Sequence, residues 1–176
     1  MSKHSRFTST SLRLAVLALA IAGSGSAMAA NAVANSTSTV VAAINISKAS
    51  DLAFGSFAAG GGAGSVTVTP AGVRSVSGVI AVASATTAAK FDVTGESGMG
   101  YSISVVATPL SDGGGNSMSF VPISDLSASA STSNTATVGT LTGGAQSIYV
   151  GGVLSVGANQ AAGAYSGTVT ATVDYN

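Results

Sequence analysis

The sequence predicts an all-β fold, an immunoglobulin-like (pilin-like) β-sandwich, on three observations. Apolar residues alternate with small polar ones over short windows, which is the period of a strand. Glycine-rich turn signals separate these windows at regular spacing. No window of helical period survives beyond the first 29 residues.

Those first residues read as an export signal. Lys3, Arg6 and Arg13 precede an apolar run from Leu14 to Ala22, then Gly23-Ser24-Gly25-Ser26 and the small-residue triplet Ala27-Met28-Ala29. Basic, apolar and small residues in that order make a secretory signal peptide, with cleavage expected between Ala29 and Ala30. The apolar run is shorter than the roughly 20 residues a membrane helix needs. With neither a twin-arginine pair nor a lipobox cysteine, general secretion into a periplasm is the expected route. The layout is then a signal peptide over residues 1–29, an N-terminal extension or donor strand over 30–50, and a sandwich domain over 51–176.

Cleavage would leave 147 residues, the size of one domain. Three of the six basic residues leave with the signal while all six acids remain, a mature net charge of about −3. That balance argues against a nucleic-acid partner, which needs a basic footprint. The chain has no cysteine, and its one histidine, His4, lies in the signal. The mature chain thus lacks the commonest general base, the strongest nucleophile and the usual zinc ligands. No catalysis, cofactor or metal is expected.

Strands are expected over Thr39–Ile46, Leu52–Phe57, Ser65–Thr69, Val73–Ala83, Phe91–Thr94, Tyr101–Ala107, Ser117–Val121, Gln146–Val156 and Ala164–Tyr175. The clearest turn signals between them are Gly60–Gly64, Pro70-Ala71-Gly72, Gly95–Gly98, Asp112–Asn116 and Gly143-Gly144. Ser124–Ser133 is low in complexity, either a frayed edge strand or a loop, and Ser84–Lys90 has room for one helical turn.

Four places offer chemistry and each has a plainer reading. The Gly60–Gly64 run lacks the Lys-Ser or Lys-Thr pair of a phosphate loop and reads as a hairpin loop. Asp112 with Asn116 is too sparse for calcium and fits an Asx-stabilised turn. Gly95-Glu96-Ser97-Gly98-Met99 misses the nucleophile-elbow pattern at Met99. Asp92 and Glu96 flank a solvent-facing turn with no aromatic platform, which disfavours a glycosidase pair.

The two ends of the mature chain carry the most information. Val40, Ala42, Ile44 and Ile46 share one parity, downstream of a small, polar leader from Ala30 to Thr39. At the other end Tyr165, Gly167, Val169, Ala171, Val173 and Tyr175 alternate without a break with Ser166, Thr168, Thr170, Thr172 and Asp174. A long terminal strand with an unpaired edge is a liability or a docking site. Both segments are either ordinary strands of a closed sandwich or the two halves of strand exchange between subunits.

The C-terminal run from Gly163 to Asn176, with penultimate Tyr175, resembles the end of chaperone-usher pilins. Asp51-Leu52-Ala53-Phe54-Gly55, Phe91-Asp92-Val93-Thr94-Gly95 and Ile148–Leu154 resemble a family of secreted bacterial domains of unknown function. An apolar-alternating leader before a Leu-x-Phe-Gly strand is similar to archaic, spore-coat-like pilins. The resemblance implies an incomplete sandwich whose groove is filled first by a periplasmic chaperone and then by a neighbour's Val40, Ala42, Ile44 and Ile46. It implies that the strand from Gly163 through Tyr165, Val169, Ala171, Val173 and Tyr175 to the Asn176 carboxylate contacts the chaperone. Partners would be copies of the chain or related pilins, the chaperone and an outer-membrane usher, with the cell surface as destination. The expected function is a structural subunit of a fimbria serving adhesion or biofilm formation. A monomeric secreted sandwich that binds carbohydrate or a surface protein is one rival, and a small outer-membrane barrel is another.

Overall fold

Alternation becomes thirteen strands in a computed structural model that describes residues 28–176. Most of the expected signal therefore lies outside the described residues. The chain divides into two units after Thr39. Of the first, residues 28–39 are exposed and carry neither helix nor strand.

In the second unit the strands are β1 (Asn45–Ser50), β2 (Phe57–Ala59), β3 (Gly64–Val68), β4 (Arg74–Ser77), β5 (Val79–Ala81), β6 (Ala89–Thr94) and β7 (Gly100–Ala107). They continue with β8 (Leu110–Ser111), β9 (Ser117–Met118), β10 (Phe120–Asp125), β11 (Val138–Thr140), β12 (Ala145–Val156) and β13 (Val169–Tyr175). A single 3-10 turn at Thr142–Gly144 is the only helical segment among the described residues. The predicted all-β sandwich is what folds. Its sheets keep free edges and do not close into a barrel.

The twelve-residue β12 organises the larger sheet. One edge pairs with β10, from Phe120 opposite Leu154 to Asp125 opposite Tyr149. The other edge is shared end to end. Ala145–Val150 pair with β6, and Gly152–Val156 pair with β3. Gly151 sits where the two partners meet, and a Cβ there would overlap the Val68 carbonyl oxygen and the backbone of Thr69. β1 extends the sheet beyond β6, and β4 extends it beyond β3. The second sheet is β11–β7–β13, all antiparallel.

Period-two alternation fills two cores. Phe91 and Val93 of β6, Tyr101 and Ile103 of β7, Ile148 and Val150 of β12, Val173 of β13 and Leu141 form one. Phe54, Val66, Val68, Met118, Phe120, Leu154 and Val156 form the other. Phe54 and Phe120 meet edge to face with ring centroids 5.4 Å apart, a favoured aromatic geometry.

The Tyr101 hydroxyl is buried and has no hydrogen-bond partner among the described residues, and burial raises the pKa of its phenol. An unmade buried hydrogen bond costs about 1–3 kcal/mol. Tyr101→Phe is therefore expected to raise the thermal unfolding midpoint or leave it unchanged, whereas loss of a satisfied hydroxyl would lower it.

Several expected boundaries move. The Thr39–Ile46 strand begins instead at Asn45, because β6 offers partners only from Asn45 opposite Thr94 onward. The Leu52–Phe57 strand is reduced to one bridge, Ala53 to Thr87, before β2 starts at Phe57. Gly55 at φ +70° interrupts it. The Val73–Ala83 strand breaks at Gly78, also at φ +70°, so that β4 returns along β3 while β5 pairs with β2. Ser84–Lys90 makes no helical turn, since Thr87 bridges to Ala53 and Ala89 opens β6. β10 runs on to Asp125, and the low-complexity segment after it is a loop. The Ala164–Tyr175 strand starts only at Val169, leaving Gly163–Thr168 outside the ladder apart from a bridge of Ser166 to Ser111.

Candidate functional site

The sandwich is open along one side. Among the described residues β1 pairs only with β6 and β13 only with β7, so each leaves one edge without a partner there. Beside the end of β1 and the start of β13 lies a groove of about 1040 Å³. One wall runs from Leu52 to Ala59 and the other from Gln160 to Val169. Its floor is Phe91 of the first core together with Leu110, Met118, Phe120 and Leu154 at the second. Lys48 and Asp51 also line it and form an ion pair at 2.6 Å.

Local chemistry shapes both walls. Arg74 Nη1 donates to the carbonyl oxygens of Phe54 and Ser56, at 3.3 and 3.0 Å, and Nη2 donates to Val82 at 2.9 Å. The guanidinium thus fastens the irregular Phe54–Ser56 stretch to the segment after β5. In the facing wall the Tyr165 hydroxyl donates to the Ala161 carbonyl at 2.8 Å and accepts from Gln160 Nε2 at 2.9 Å. Its ring packs on the second core. Arg74→Lys keeps the charge but loses the fork. It is expected to cost about 2 kcal/mol in urea unfolding, with faster amide exchange at Ala53–Ser56 as the local sign.

At the other end of β13 the penultimate residue closes a ring of hydrogen bonds. The Tyr175 hydroxyl accepts from the Glu96 N–H at 2.6 Å and donates to the Ala42 carbonyl at 2.9 Å. The Ala42 N–H donates to Glu96 Oε2 at 3.0 Å. Gly95 is required beside it, because a Cβ would meet the Tyr175 hydroxyl and Leu141.

The expected donor residues divide at this ring. Ile44 and Ile46 are half-buried against the chain's own first core. Ala42 is exposed but held by its backbone, and Val40 is 94% exposed. Of the expected contact strand, Val169, Ala171, Val173 and Tyr175 lie on one face of β13 toward the cores. Gly163 and Tyr165 lie in the groove wall, and Asn176 follows β13 with its N–H donated to Gly100. Ala29 and Ala30 are exposed.

The remaining acids do structural work. Asp112 accepts from the N–H groups of Gly114 and Asn116 and from the Asn116 side chain, an Asx-type turn. Asp92 takes the Ser147 hydroxyl at 2.7 Å and Lys90 at 3.0 Å, and shares no partner with Glu96. The Ser147 hydroxyl and then Lys90 hold Asp92 below the usual carboxylate range. Asn116 and Gly114 do the same for Asp112, and the Ser129 hydroxyl for Asp125. A depressed folded-state pKa contributes stability that is complete above the unfolded value, about 3.9, and disappears as pH falls through the folded value. The thermal midpoint is expected to hold between about pH 7 and 5 and to drop below about pH 4.

Sequence reasoning did not single out Arg74, Gly151 or the Glu96 contact. Arginine pairing with carbonyls and a glycine's close neighbours have no periodic signal, and Glu96 meets a residue 54 positions away.

These features define a β-sandwich domain: two main sheets with two short two-stranded ribbons, a lateral groove and a terminal strand with a free edge among the described residues. More particularly, the chain belongs to the DUF4402 family, a domain of unknown function, whose model matches residues 44–175. No curated protein matches it.

Proposed function

We propose that this chain is a structural subunit of a surface fimbria, in which the N-terminal segment of one copy fills the lateral groove of the next. The observation that carries the reading is the groove itself, an apolar floor beside the ends of β1 and β13, each of which has one edge unpaired among the described residues. An added strand would gain backbone hydrogen bonds at the free edges and lie over the Phe120 and Leu154 floor.

Polarity favours a second copy as occupant. β13 runs about 20 Å from Val169 at the groove to Tyr175 at the hydrogen-bonded ring. The leader therefore departs near Ala42, at the end of β13 remote from the groove. A donated segment leaving near Ala42 and a groove near the start of β13 would make a head-to-tail contact, which builds open filaments. A periplasmic chaperone would hold the groove before assembly, and an outer-membrane usher would pass the subunit to the cell surface. Export through the Ala29–Ala30 cleavage would free the leader.

Deleting residues 30–39, which are exposed and outside the compact unit, tests this reading. Unheated surface extracts on a denaturing gel are expected to show a ladder of multimers from the intact chain and only monomer from the deletion. A ladder unchanged by the deletion would contradict it. A stable intact monomer that never polymerises would favour a self-contained binding domain.

A further inference from the structure

We infer that the Tyr175 hydroxyl and the Glu96 carboxylate clamp the backbone of Ala42 and so divide the N-terminal segment: residues from Ala42 onward stay with their own subunit, and residues 30–41 form the arm given to a partner. This rests on the strand-exchange reading and specifies which part of the segment is exchanged.

The division follows from three independent features. Both backbone groups of Ala42 are engaged, the N–H by Glu96 at 3.0 Å and the carbonyl by Tyr175 at 2.9 Å. The Tyr175 oxygen is itself fixed by the Glu96 N–H at 2.6 Å, so the acceptor and donor of the clamp share one turn. Downstream, Ile44 and Ile46 are already spent on the first core, and β1 is laddered to β6 from Asn45. Removing them would expose apolar side chains and break that ladder in the donor in order to build another in the acceptor. Upstream, Val33, Val40 and Val41 are 94%, 94% and 45% exposed. They are the larger apolar side chains not committed at home. The family match opens at Ile44, just past the clamp, so the part that stays is the part the family shares.

Two clamp residues at one point also fix how far the arm reaches. Twelve residues in extended form span roughly 40 Å. That is about twice the length of β13, enough for a ladder along a strand of that size.

Because the chain has no cysteine, pairs of introduced thiols can map the exchange in the exported full-length protein. Ala162→Cys places one thiol on the groove wall. Its partner is Val33→Cys, far along the arm, in one variant and Ser47→Cys, an exposed position of β1, in the other. A short bis-maleimide applied to surface extracts is expected to give covalent ladders between subunits from the Val33 variant, several-fold above those from the Ser47 variant. Stronger crosslinking from Ser47, or none from either while the non-covalent ladder persists, would overturn the division at Ala42 and leave strand exchange standing. Absence of any ladder in the parent chain would overturn the strand-exchange reading instead.

The clamp has its own readout. Tyr175→Phe and Glu96→Ala are each expected to speed amide exchange at Ala42 by about five-fold or more in the monomer, as loss of one hydrogen bond requires. Unchanged exchange at Ala42 in both variants would show that nothing is clamped there.

Discussion

Gly151→Ala is expected to destabilise the domain by about 3 kcal/mol or more. The reason lies in the double use of one strand edge. β6 and β3 both pair with the same side of β12, and they converge on Gly151. A methyl group there would overlap the Val68 carbonyl oxygen and approach the Thr69 carbonyl carbon to 2.7 Å. These are backbone atoms at the end of β3 and in the residue after it, so no rotamer change relieves the overlap. Either β3 separates from β12, exposing Val66 and Val68, or β12 bends and loses its ladder to β10. Gly61→Ala provides the control, since nothing lies within 4 Å of its would-be Cβ. It should change stability by less than about 0.5 kcal/mol. Urea unfolding of the two variants checks the contrast, and equal effects would place the junction elsewhere.

Phe120→Ala is expected to cost about 3–5 kcal/mol, the range for deleting a buried aromatic ring. Phe120 is 8% exposed, and it serves two surfaces at once. Its edge meets Phe54, and its ring covers Gly152, where a Cβ would collide with it. It also belongs to the groove floor. Phe54→Ala should cost less than additively when combined with Phe120→Ala, with a coupling of about 0.5–1.5 kcal/mol from the edge-to-face contact. A double-mutant cycle measures it. Because Phe120 lines the groove, its loss should weaken polymer as well as monomer, whereas Val93→Ala, in the first core away from the groove, should weaken the monomer alone.

Much of this was legible in the chain. Tyr101/Ile103, Phe91/Val93 and Ile148/Val150 alternate at period two, and the core is built from them. The Asp112 turn was legible too, because an Asx turn is local and its signal spans five residues. What escaped was everything set by distant partners. Thr39–Ile46 alternates as well as any strand, yet its first half has no neighbour to pair with. Gly163–Thr168 continues the alternation of β13, but it forms a groove wall because only Ser166 finds a bridge across to Ser111. Alternation reports which side chains tolerate burial and does not report whether an edge is available. The penultimate tyrosine stood out by resemblance, while the contact it makes, with backbone 133 residues earlier, left no trace in spacing.

The most direct test of strand exchange adds a synthetic peptide of residues 30–41 to a chain that begins at Ala42. Amide exchange is then followed along both groove edges. Filling of the groove predicts slower exchange at Gln160–Val169 and at Leu52–Ala59, together with a higher thermal midpoint that a scrambled peptide does not reproduce. Exchange at both edges unaltered at saturating peptide would contradict it.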